Sequence, residues 1–120
     1  MPEPRALVVD DNPTNRILAR ALLSKLGWPV DDVDGGAAAL ACLERSRYTL
    51  ILLDVSMPGL SGEDTCRAMR ERPEGAGLRI VAYTAHAYDE ERARIMAAGF
   101  DDILVKPVTM AAMEAAVGRP

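Results

Sequence analysis

Ala6-Leu7-Val8-Val9-Asp10-Asp11 decides how this chain is read, because two later apolar runs end in a related way: Leu50-Ile51-Leu52-Leu53 on Asp54, and Ile103-Leu104-Val105 on Lys106-Pro107. If the three runs are parallel strands of one sheet, three carboxylates and one ammonium converge on a single edge. Carboxylates about 5 Å apart repel by roughly 3 kcal/mol per pair at an effective dielectric of about 20. A fold that gathers them must be using a cation, and a hard divalent ion with oxygen ligands, Mg2+ first among them, suits such a donor set.

Working outward from these runs, five short strands are expected near Arg5 to Asp10, Val30 to Val33, Thr49 to Asp54, Arg79 to Tyr83 and Asp102 to Val105. Several are continuously apolar, as strands buried on both faces are. Helical stretches fill the gaps. The first follows Asn12-Pro13, a cap residue and then a proline at the first helical position, and carries Ile17, Leu18, Ala21, Leu22 and Leu26 before Gly27 ends it. The second runs from Ala37 to Arg45, and the third from Gly62 to Arg72, closed by Pro73 and a loose Glu74-Gly75-Ala76-Gly77 loop. The fourth spans about Tyr88 to Ala98, with Asp89, Glu90 and Glu91 at its positive end and Gly99 placed for a left-handed cap with Phe100 folding back. Thr109 to Val117 is the last. Strict alternation of strand and helix predicts an α/β doubly wound sheet, whose ligands bind beyond the carboxyl ends of the strands.

The bulk composition narrows the function classes. With 120 residues and 49% hydrophobic content, the chain reads as one domain over 1–120 with a single core and no output domain. A net charge of −4, from 18 acidic and 14 basic residues, offers no footprint for nucleic acid or anionic lipid. Cys42 and Cys66 read as two reduced, buried thiols, and no apolar run approaches the roughly 18 residues of a membrane span, so a cytoplasmic location is expected.

Position separates the charged residues. Asp31-Asp32 and Asp101-Asp102 read as solvated surface charge away from the site. Asp10-Asp11 is not needed as a helix cap, because Asn12 serves. Asp54 closes a run of four branched apolar residues and precedes Val55-Ser56-Met57-Pro58-Gly59, a turn that presents it. Lys106 is one of two lysines against twelve arginines, which suggests a need for a compact, flexible point charge. Pro107 raises the prospect of a cis bond at that turn. Thr84, beside the small Ala85, is placed either to bind an anion or simply to end a strand. His86, the single histidine, reads as a solvated loop residue, with tuning of water access to the site as the alternative.

Taken together, Val9-Asp10-Asp11-Asn12, Leu53-Asp54-Val55-Ser56-Met57-Pro58-Gly59, Thr84-Ala85 and Lys106-Pro107 closely resemble the receiver domains of two-component response regulators, over essentially the whole chain. Asp11-Asn12-Pro13-Thr14-Asn15-Arg16 and Tyr83-Thr84-Ala85-His86-Ala87 look most like receivers of hybrid kinases and phosphorelays. The resemblance implies a flavodoxin-like strand order 2-1-3-4-5. It also implies Asp54 as phosphoacceptor, Mg2+ held by Asp11, Asp54 and the Ser56 backbone carbonyl with Asp10 acting largely through water, and Lys106 and Thr84 binding phosphoryl oxygens. The donor would be a histidine kinase or histidine phosphotransfer protein docking on the first helix and the loop after Asp54. A downstream effector would use the fourth helix, fifth strand and last helix. One departure stands out: three residues before the lysine most receivers carry an aromatic side chain, and this chain has Ile103. An isoleucine is stiff at its first torsion and has no hydroxyl, so an inward ring flip cannot be the reporter. Tyr83 is no obvious substitute, since alternation sends it and Thr84 to opposite faces.

Other classes keep distinct expectations. A flavodoxin-like FMN carrier would have to seat a phosphate where Asp10-Asp11 repel one. A Mg2+-dependent phosphatase with an aspartyl intermediate usually adds a second acid two residues after the nucleophile, where this chain has Ser56. A docking module with vestigial phosphorylation draws its support from Ile103.

Overall fold

The computed structural model describes residues 4–57, 59–85 and 87–120. Five parallel strands, β1 (Ala6–Val9), β2 (Val30–Val33), β3 (Leu50–Asp54), β4 (Arg79–Thr84) and β5 (Asp102–Val105), form one sheet in the order β2-β1-β3-β4-β5. They alternate with α1 (Pro13–Lys25), α2 (Gly36–Arg45), α3 (Gly62–Arg70), α4 (Asp89–Ala97) and α5 (Met110–Val117). The expected flavodoxin-like architecture is therefore observed. Among the described residues, no helix is long and apolar enough to cross a membrane.

The central strands are buried along nearly their whole length, which is why they read as unbroken apolar runs. In place of the single core expected from composition, alternation sorts their side chains between two cores, one on each face of the sheet. One, shared with α1 and α5, contains Val8, Leu52, Tyr83, Leu104, Val108 and Met113. The other, shared with α2, α3 and α4, contains Leu7, Leu53, Ala82, Cys66, Met69 and Ile95. The parallel register sets Val9 beside Leu53, Asp54 beside Tyr83, and Thr84 beside Val105, so the last residues of β1, β3, β4 and β5 arrive at one rim.

The helix ends follow their expected chemistry. Asn12 Oδ1 accepts from the amides of Thr14 at 2.9 Å and Asn15 at 3.4 Å, capping α1 ahead of Pro13. Gly27 and Gly99 close α1 and α4 in the left-handed region, with φ of 98° and 109°, and Phe100 folds back into the core.

Four expectations need correction. The face of α1 that meets the sheet is Ala19, Leu22, Leu23 and Leu26, whereas Ile17 and Leu18 are 70% and 43% exposed and Ala21 also faces solvent. The apolar residues of α1 fill more than one face, so composition did not say which stripe packs. Cys42 is only half-buried, while Cys66 is fully buried and its thiol is pushed up to about 11 by that burial. The third helix ends at Arg70, and the segment after it is not loose: Gly75–Gly77 is a 3-10 turn. The Arg70 guanidinium donates to the carbonyls of Gly75, Leu78 and Gly99 at 2.7, 2.6 and 2.9 Å and to Asp101 at 2.8 Å. Finally, the Asp31-Asp32 and Asp101-Asp102 pairs are ion-paired rather than simply solvated. Asp31 meets Arg5 at 3.3 Å and Asp102 meets Arg79 at 3.6 Å, and Asp101 also accepts from the Ile80 amide at 2.8 Å. Asp32 pairs with Arg16 at 3.3 Å and Arg20 at 2.8 Å.

Candidate functional site

At the carboxyl rim, β1 delivers Asp10, the following turn delivers Asp11, and β3 delivers Asp54. One carboxylate oxygen from each lies within 4.8 Å of the others. Asp10 is fully buried and Asp54 is 3% exposed, while Asp11 faces solvent, so the cluster is walled below and open above. Lys106 enters from the end of β5 and places Nζ 3.4 Å from Asp10 Oδ2 and 3.4 Å from Asp54 Oδ1. The Lys106-Pro107 bond is cis, as the turn suggested.

Backbone groups finish the cradle. The Asn12 amide donates to Asp10 Oδ1 at 2.9 Å and the Ser56 amide to Asp54 Oδ1 at 3.3 Å, each fixing a carboxylate rotamer. Burial first, and then repulsion from Asp10, push the Asp54 carboxyl from its ordinary 3.8 up to about 6; Lys106 and the Ser56 amide oppose that rise. The site is thus electrostatically underfilled, with more negative charge than its one ammonium balances. Its donors are all oxygen, and three carboxylates in a half-open cup fit an ion that keeps several of its own waters, as Mg2+ does.

The remaining predicted residues fall around this cup. Thr84 is buried at the end of β4, and its carbonyl accepts from the Lys106 amide at 2.8 Å. Ala85 and Ser56 are exposed at the rim. Ile103 is half-buried and packs on the α2, α3 and α4 side of the sheet, on the opposite face from Tyr83. His86 and Pro58 lie outside the described residues.

Three features escaped the sequence reading. Lys106 Nζ sits 4.6 Å from the centroid of the Tyr83 ring, which is 2% exposed. Burial, reinforced by the Asp10 and Asp54 carboxylates, holds the Tyr83 phenol above its usual range and therefore neutral. Arg16 joins the site to β2: its guanidinium donates to the Asp10 carbonyl at 2.8 Å and pairs with Asp32, so Asp32 braces the site rather than standing apart from it. Gly62, the first residue of α3, lies so close to the Asp54 carbonyl and Val55 Cα that a Cβ there would collide with both. Periodicity could assign Tyr83 to a face, but not a lysine reaching back over it from another strand.

The comparisons with known proteins agree with this geometry. The family model described as the response regulator receiver domain matches residues 6–118. The sensor histidine kinase GacS of Pseudomonas protegens is 41% identical over 109 residues, covering 88% of this chain and 12% of that protein. The sensor protein EvgS of Escherichia coli is 36% identical over 104 residues, covering 87% of this chain and 8% of that protein. This chain thus spans a small fraction of the length of these curated relatives. Among solved structures, the receiver domain of the Pseudomonas aeruginosa sensor histidine kinase PA1611, described with a magnesium ion coordinated in its active-site cleft, superposes with a TM-score of 0.83 at 32% identity, covering 97% of this chain and 99% of that one. The Vibrio cholerae chemotaxis protein CheY4 gives a TM-score of 0.88 at 27% identity, with 93% of each chain covered. The chain belongs to the response regulator receiver domain family, and among its relatives are receivers built into hybrid sensor kinases.

Proposed function

We propose that this receiver domain takes a phosphoryl group from a phosphohistidine donor onto Asp54 and loses it again by hydrolysis, promoting both steps itself. The observation that carries this reading is the meeting of Asp10, Asp11, Asp54 and Lys106 at one rim of the sheet. An Asp54 carboxylate oxygen attacks phosphorus in line; the new P–O bond forms as the P–N bond to the donor imidazole breaks, and the imidazole nitrogen keeps that electron pair. Lys106 shifts from the carboxylates to a phosphoryl oxygen, and Thr84 offers its hydroxyl to another. Asp11, Asp54 and the Ser56 carbonyl would hold Mg2+, with Asp10 acting through water; when bound, the ion supplies positive charge to the phosphoryl oxygens.

A histidine kinase or histidine phosphotransfer protein is the proposed donor, and the exposed Ile17 and Leu18 on α1 give such a partner an apolar landing face beside the site. Tyr88, Met96 and Val105, exposed along α4 and β5, offer a second face to a downstream effector. Because Ile103 replaces a mobile aromatic ring, the response is muted or routed elsewhere in the site. The test is transfer from a radiolabelled phosphohistidine donor, with Mg2+ or EDTA, to wild type and to Asp54→Ala. Label should reach only the wild type with Mg2+; label on the Asp54→Ala variant would overturn the assignment.

A further inference from the structure

Lys106 has a long flexible stem, and its two carboxylate contacts are loose. Both are 3.4 Å, longer than the roughly 2.7–2.9 Å of a tight charge-assisted bond. Two loose ionic contacts leave the ammonium free to swing between Asp10 and Asp54. The third contact differs in kind. The Tyr83 ring is buried in the core with Leu104, Val108 and Met113, so it cannot move readily, and its π face lies 4.6 Å from the ammonium. A cation over an aromatic face gains most where water is excluded, and this ring is 2% exposed.

We propose that Tyr83 is a positioning residue for the phosphoryl-transfer reaction: its ring is the rigid seat that holds the Lys106 ammonium between Asp10 and Asp54, ready for the incoming phosphoryl oxygens. The ring face does this work, not the hydroxyl. A leucine at this place would fill much of the same core volume and leave the ammonium unseated. The proposal rests on the reading of Asp54 as phosphoacceptor, but its geometric half can be measured without any phosphodonor.

The chain contains two lysines, and the other, Lys25, is exposed at the end of α1. Selective lysine labelling therefore gives one signal from the site and one internal reference. In metal-free wild type and in Tyr83→Phe, the Lys106 Hε protons should lie upfield of those of Lys25 through the ring current. In Tyr83→Leu and Tyr83→Met they should move to the Lys25 position. With phosphoramidate and Mg2+, the rate of Asp54 phosphorylation should stay within about twofold for Tyr83→Phe and fall about fivefold for Tyr83→Leu and Tyr83→Met. An unshifted Lys106 signal in wild type would overturn the seat directly, even if no aliphatic variant folds. Equal slowing in the Phe and Leu variants, or full speed in folded Leu and Met variants, would overturn it as well. A wild type that shows the shift but never gains a phosphoryl group would instead refute the role of Asp54.

Discussion

Replacing Asp54 with asparagine should stabilise the metal-free protein at neutral pH, although it alters a nearly fully buried residue at the centre of the site. The buried Asp54 carboxyl is raised from 3.8 to about 6, chiefly by burial and then by Asp10. The rise corresponds to roughly 3 kcal/mol between its protonated and ionised forms. In the unfolded chain the group ionises near its ordinary value, so the folded state bears that cost only where the unfolded carboxyl is already charged. The cost is absent below about pH 4, grows between about pH 4 and pH 6, and is complete above that window. Asparagine keeps the shape and an acceptor for the Ser56 amide but carries no charge. Thermal unfolding in EDTA at pH 7.5 should show Asp54→Asn more stable by roughly 1–3 kcal/mol, or about 4–12 °C in a domain of this size. The gap should close as pH falls to about 4. Mg2+ at one hundred times its dissociation constant should then add about 2.7 kcal/mol to wild type and much less to the variant. A variant less stable than wild type at pH 7.5, or a gap that does not change with pH, would refute the electrostatic reasoning.

Other predictions test the scaffold and the signalling route. Arg70→Met removes the four bonds that tie the end of α3 to Gly75 and Leu78 around the 3-10 turn, to Gly99 after α4 and to Asp101 just before β5, and should cost roughly 2–4 kcal/mol in denaturant unfolding while leaving Mg2+-dependent phosphorylation intact below the new transition. Gly62→Ala drives a methyl group into the Asp54 carbonyl, so phosphorylation by a small donor should slow at least about tenfold, followed by mass spectrometry, in protein that retains its far-ultraviolet dichroism. On phosphorylation, amide shifts should be largest around Thr84 and Lys106 and small at Ile103, whose amide donates to its neighbour Asp102 at 2.8 Å; a dominant change at Ile103 would contradict the rerouted switch.

Most of the fold was legible because its core strands are buried on both faces. Ala6–Val9 and Leu50–Asp54 carry no polar residue until the carboxylate that ends each cluster, so apolar continuity marked both the strands and the site. The start of α1 and the ends of α1 and α4 were equally readable, since Asn12, Pro13, Gly27 and Gly99 have few other uses, whereas the end of α3 at Arg70, two residues short of the expected Arg72, was not. The buried stripe of α1 was not readable, because Ile17, Leu18 and Ala21 compete with Ala19, Leu22 and Leu23 for it and only the sheet beneath chooses. Contacts made by long side chains were also invisible. Arg70 reaches four partners, Arg16 links Asp32 to Asp10, and Lys106 lies back over Tyr83; each depends on where remote segments stand, and no local pattern encodes that distance.

Phosphorylation of Asp54 is tested most simply by the intact mass of the protein after incubation with acetyl phosphate or phosphoramidate, with Mg2+ or with EDTA, for wild type and Asp54→Ala. A single phosphoryl adduct on wild type that requires Mg2+ and vanishes in the variant is the predicted result. An adduct that survives Asp54→Ala, or none on folded wild type with Mg2+ present, would contradict it.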